Sequence, residues 1–155
     1  MADPVIESIG VALEALVNGI TIANGFNEDL TAKRPKRLDL LGDLNRDGLV
    51  IIEQEDATVE AASEDATMIS QPFTLQAILL DSDEATAAID TRCNQVAADI
   101  VKQLFSNFTL GGLAHGMRLR DPCFEKFLAS AESSGIAVNI DVLYMIESDN
   151  PYNQA

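Results

Sequence analysis

The sequence predicts an α+β fold: a small antiparallel sheet with a long projecting hairpin and two main helices packed on one face. Three observations lead there. Apolar residues recur at helical spacing near the N-terminus and again past the middle of the chain. Two long runs between them, and one near the end, alternate at strand spacing. Glycine-, proline- and acid-containing segments punctuate these stretches. The chain has 155 residues, 47% of them hydrophobic, which suits one domain spanning 1–155 and is short for two.

The first helix is predicted over about 4–24. Asp3 suits a cap, Pro4 the first helical position and Gly25 a left-handed stop. Ile6, Ile9, Leu13, Leu16 and Ile20 give it one apolar stripe. Residues 25–48 read as an irregular connection holding Pro35 and an Asp47-Gly48 turn. A hairpin is predicted over about 49–80, its strands separated by Ala61-Ala62-Ser63-Glu64-Asp65. Phe73, Leu75, Ala77 and Leu79 alternate with Thr74, Gln76, Ile78 and Leu80, so one face is apolar and the other half polar.

The second helix is predicted over about 83–108. Asp81 or Asp83 caps it, and Ile89, Cys93, Val96, Ala97, Ile100, Val101, Leu104, Phe105 and Phe108 form its apolar face. A glycine-rich connection then leads to a short segment at Met117–Leu119 and a short helix around Phe124–Ala131. The last strand is expected over about 136–147, with Val138, Ile140, Val142, Tyr144 and Ile146 on one face. The sheet's other face carries Ile78, Leu80, Leu143 and Met145. It is expected to be a partly exposed association surface or to pack under a loop.

Twenty-five acids against ten bases give a formal net charge of -15. That disfavours a general nucleic-acid binder, which needs bases to displace counterions, and docking on an anionic membrane. No run approaches the length of a membrane span, and no basic region precedes the first apolar stretch, so an unexported chain is expected. Residues 47–91 hold acids and no base, among them Glu55, Asp56, Glu60, Glu64 and Asp65. Half the bases, Lys33, Arg34, Lys36, Arg37 and Arg46, fall within residues 33–46. Such segregation favours complementary contact between copies or with a partner, where opposite potentials set register.

No motif points to catalysis, and no cofactor is expected. Asp43, Asn45, Asp47 and Gly48 reproduce the opening of a calcium loop. Its twelfth position, which needs a bidentate carboxylate, holds Gln54, and a turn entering a strand uses the same residue types. His115 has no nucleophile signature near it, Cys93 falls on an apolar helix face, and the glycines match no phosphate loop.

The order of features is similar to a known family. The first helix ends in Ile20-Thr21-Ile22-Ala23-Asn24-Gly25-Phe26-Asn27-Glu28-Asp29-Leu30, which resembles the opening of tail-terminator (tail-completion) proteins of long-tailed bacteriophages. The strand Val50-Ile51-Ile52 followed by Glu53-Gln54-Glu55-Asp56, the helix entered through Asp81-Ser82-Asp83, and the final run to Asp149-Asn150-Pro151-Tyr152 also resemble that family. Two departures stand out: Glu28 replaces the family's usual threonine, and residues 34–47 are longer and more charged than its pattern.

The resemblance implies a virion structural protein rather than an enzyme. Six copies would ring the end of the tail tube, stop tube growth and present a surface to the head connector, while phage DNA passes through unbound. Its partners would be itself, the tube protein and connector or neck proteins, with assembly in the host bacterial cytoplasm and no membrane. A neck or head-tail joining protein is the neighbouring alternative, and a calcium-dependent module the distant one. The expected interface residues are Lys33, Arg34, Lys36, Arg37, Glu55, Asp56, Glu60, Glu64, Asp65, Leu143 and Met145. Acids lining the channel would keep DNA from sticking.

Overall fold

A computed structural model describes residues 2–35, 46–80, 88–130 and 133–155. Helix α1 spans Val5–Asn18, helix α2 Ile89–Phe105, and the strands are β1 (Thr31–Lys33), β2 (Leu49–Gln54), β3 (Thr58–Ala62), β4 (Ala66–Leu80), β5 (Gly116–Ser130), β6 (Ser133–Glu147) and β7 (Asn150–Gln154). They form one seven-stranded sheet in the order β1-β2-β4-β6-β5, with β3 also on β4 and β7 also on β6. The α+β class with two helices is therefore as expected, but the sheet is mixed. Thr31–Lys33 pairs with Leu49–Ile51 in parallel, and every other pairing among the described residues is antiparallel.

The alternation read from β4 sets the layers. Phe73, Leu75, Ala77 and Leu79 join Val138, Ile140 and Val142 of β6 in one cluster with Val5, Ile9, Leu13 and Val17 of α1 and Cys93, Val96, Ile100 and Leu104 of α2. Phe73 is 1% exposed at the centre of this cluster. Burial of each such side chain is worth about 1.5–3 kcal/mol. The pair β4 and β6 forms the spine, a continuous antiparallel ladder from Ala66↔Glu147 to Leu80↔Ser133.

Five boundaries differ from the sequence reading. Helix α1 begins after Pro4, whose carbonyl accepts from Glu7 and Ser8, and stops at Asn18 rather than near Gly25. Gly19 sits so close to α2 that an added Cβ would lie 2.8 Å from Gln103 Nε2. Gly25, at φ 90°, ends a separate 3-10 turn, Ile22–Asn24, which Thr21 caps through its side-chain oxygen. The predicted 49–80 hairpin is broken at residues 55–57 into β2 and β3. Phe124–Ala131 is not a helix: residues through Ser130 belong to β5, held by its ladder to β6. The strand ending at Glu147 is followed by another, β7. The described part of α2 ends at Phe105, and Phe105 and Phe108 are exposed rather than in the core. The predicted caps Asp81 and Asp83 lie outside the described residues.

The sheet's second face is not the open patch expected at Ile78. Ile78 is 1% exposed and packs with Leu49 and Ile51 under Phe127 and Ala129 of β5. Gly135 allows this: an added Cβ would lie 2.2 Å from Phe127 Cζ and 2.7 Å from the Ala77 carbonyl oxygen. Leu80, Leu143 and Met145 are half-buried.

Candidate protein-protein interface

The charge on this chain is organised by the sheet. Beyond the covered cluster, the second face carries a polar network where β4, β6 and β5 lie side by side. Thr74 Oγ1 donates to Glu55 and contacts Asn139 Oδ1 at 3.0 Å. Asn139 Nδ2 donates to the Pro122 carbonyl and to Glu125 Oε1, both at 2.7 Å. Arg120 lies 3.3 Å from Glu55, and its Nε faces Asp141 Oδ1 at 3.4 Å. Arg118 bridges Asp141 at 3.2 Å and Glu60 at 2.6 Å. Bonding to Glu60 first, and to Asp141 second, raises the Arg118 pKa above its ordinary value. Asp141 is 8% exposed, and the two guanidinium groups beside it offset the cost of burying its charge.

Sequence reasoning missed Arg118 and Arg120. They stand outside the basic cluster, and only the β5 ladder brings them over the sheet. The cluster itself is partly used within the chain. Arg34 Nη1 and Nη2 donate to the two oxygens of Glu7 at 2.6 and 2.9 Å, a fork that raises the arginine's pKa and lowers the carboxyl's. Lys33 ends β1, while Lys36 and Arg37 lie outside the described residues.

The acidic residues are displayed as a group. Glu55, Asp56, Glu60, Glu64 and Asp65 are all exposed around β3 and the turn into β4, with Glu55 and Glu60 tied to the arginines above. Leu143 and Met145 lie on the same sheet face as Asp141, opposite Ser70 and Met68 of β4. They border this acidic end rather than the basic segment.

Of the calcium-like loop, Asp43 and Asn45 lie outside the described residues. Asp47 Oδ1 accepts from the Leu80 amide at 2.9 Å and from Arg92 at 3.2 Å. Gly48, at φ 77°, immediately precedes β2, with its own amide on the Ile78 carbonyl. The Asp-Gly pair thus makes the strand-entry turn that its residue types suit. Burial alone pulls Arg92 down, but Glu28 at 2.6 Å and Asp47 raise its pKa overall.

The Asn24-Gly25-Phe26-Asn27 stretch is also a built element. Asp99, 7% exposed on α2, accepts from the Asn27 amide at 2.9 Å and from its side-chain nitrogen at 3.1 and 3.2 Å. Lys102 stands 5.3 Å above the Phe26 ring. One turn of α2 therefore fixes this loop against the core.

An apolar stripe marks the other side of the sheet's far edge. Leu119, Phe124 and Leu128 of β5 pair opposite Ile140, Val138 and Ser134, so they share the helix-side face. All three are exposed, Leu128 by 84%. Beside them, Ala97 and Ala98 of α2 line a shallow groove with Phe124 and Ile136, and Lys126 reaches across to Asp90 at 3.2 Å.

Among the described residues, no group of three or more histidine, cysteine or acidic side chains is arranged to hold a metal. His115 is exposed, with its amide on the Leu143 carbonyl; Cys93 is buried, its thiol pKa raised by desolvation. No described helix is long and apolar enough to cross a membrane. No protein-family model matches the chain, and no curated protein matches it in sequence.

Proposed function

We propose that this chain is a structural subunit of a long-tailed phage virion that closes into a ring, of six copies, on the end of the tail tube. The ring presents to the tube a face like the tube's own subunit interface and to the outside a different one, so polymerisation stops and the connector has a docking surface. The role is geometric, without a reaction. DNA passes through the ring unbound, consistent with a net charge of -15.

The observation that carries this reading is the ordered resemblance of the opening helix, Asn24-Gly25-Phe26-Asn27, acid-terminated β2, α2 and the final strands to tail-terminator proteins. The attachment of Asn27 to Asp99 supports it, because the motif is a fixed structural element. The exposed acids around β3 and the turn into β4, and the exposed apolar residues Leu119, Phe124 and Leu128 of β5, are two different patches of the kind that a closed heterologous ring requires.

The test is to let cognate tail-tube protein polymerise with and without this chain and to image the tube ends. The expected result is short tubes carrying a ring at one end. Tubes that lengthen freely with bare ends refute the proposal, and a ring found only on the head connector assigns the chain to the neck.

A further inference from the structure

We propose that adjacent copies join by strand addition, the β3 edge of one copy pairing antiparallel with the β5 edge of the next. This rests on the ring reading and names the contact that closes it. Among the described residues the strand order ends at β5, and β3 flanks β4 on the opposite side. Sheet edges expose unpaired amides and carbonyls, and soluble proteins guard them with charge or distortion. Strand β5 carries a register break around Pro122, but on either side of it Leu119, Phe124 and Leu128 leave exposed apolar surface along the edge.

Strand direction fixes the polarity of the contact. Strand β3 runs antiparallel to β4, β4 to β6, and β6 to β5, so β3 and β5 point in opposite directions. Rotation about an axis along the strands preserves direction in every copy. The neighbour's β3 therefore meets β5 antiparallel, and the contact is head-to-tail, as a ring requires.

The faces match in that orientation. Val59 is 65% exposed and pairs with Ile69, which packs against the main core, so it lies on the helix-side face with Leu119, Phe124 and Leu128. Glu60 points to the other face, where it already pairs with Arg118 of its own chain at 2.6 Å. Arg118 remains half exposed. Residues 55–65 carry five acids and no base, whereas β5 holds Arg118, Arg120 and Lys126 together with Asp121 and Glu125, so the acidic edge meets one of mixed charge rather than another acidic one.

The test is disulfide trapping in a Cys123→Ser background. Val59→Cys protein is mixed with Leu119→Cys, Phe124→Cys or Leu128→Cys protein and mildly oxidised. The expected result is a covalent dimer in at least one mixture and none from any variant alone. Self-linking of a β5 variant, or no dimer in any mixture, overturns the proposal. As a second measurement, Leu128→Lys is expected to reduce the sedimenting species to the 16.7 kDa monomer with Tm unchanged. Retained assembly overturns it too. A ring on tube ends without cross-linking sinks this contact and leaves the terminator reading intact. Cross-linked copies beside freely growing tubes sink the terminator reading and leave the contact standing.

Discussion

Replacing Asp99 by Ala removes the carboxylate that ties the Asn24–Asn27 loop to α2. It holds the Asn27 amide at 2.9 Å and shares the Asn27 side-chain nitrogen between both oxygens at 3.1 and 3.2 Å. The side-chain nitrogen belongs to an exposed residue and is readily rehydrated. The cost therefore comes mainly from one charge-assisted bond, about 1.5–3 kcal/mol. At roughly 2–4 °C per kcal/mol for a domain of this size, Tm falls by about 3–12 °C. Asp99→Asn keeps one acceptor oxygen and the side chain's shape, so it loses less. Thermal unfolding by circular dichroism reads the shifts. Asn27→Ala leaves the backbone-amide bond in place, so it is expected to cost less than Asp99→Ala. An Asp99→Ala protein as stable as wild type, or one no less stable than Asn27→Ala, refutes the assignment of this carboxylate as the loop's anchor.

Three further outcomes follow from packing and charge. Phe73→Ala hollows the core at the central strand and is expected to cost about 3–5 kcal/mol in urea unfolding. Gly135→Ala drives a methyl group into Phe127 and the Ala77 carbonyl. It should cost about 1–3 kcal/mol and increase the exposure of Leu49 and Ile78, read by hydrogen exchange in β2 and β4. Glu7 has its carboxyl held below the usual range by the bond to Arg34. A carboxylate depressed in the folded state stabilises fully above its unfolded pKa of about 4.3, and loses that contribution as pH falls through the folded value. Glu7→Gln should therefore lower stability near neutral pH by up to about 1 kcal/mol, the pair being partly exposed. The difference from wild type should vanish in acid titration of Tm.

The layering was legible because β4 and β6 alternate cleanly: the apolar face read from Phe73 to Leu79 and from Val138 to Ile146 is the face that packs on the helices. Strand β5 was not. Phe124, Phe127 and Leu128 stand at helical spacing and read as a helix, but pairing with β6 sends Phe127 to one side of the sheet and Phe124 and Leu128 to the other. A local period thus lost to a long-range ladder. Gly25 signalled a left-handed stop correctly and was attached to the wrong element: it ends the 3-10 turn Ile22–Asn24, while α1 ends at Asn18. The parallel strand β1 is three residues long and carries no pattern of its own.

At the interface, the acids of β3 and its turn were readable as an unbroken run without bases. Their partners Arg118 and Arg120 were not, since strand pairing rather than sequence proximity assembles them. Asp99 lacked a signal as well. An acid midway along α2 gives no hint that Asn27, seventy-two positions earlier, supplies its hydrogen bonds.

The most direct measurement of the central claim is a cryo-electron microscopy reconstruction of tail-tube ends formed in the presence of this protein. The expected density is a closed ring of six copies on one end of the tube, with the β3 edge of each copy against β5 of the next. Tube ends that carry no density for this chain contradict the account.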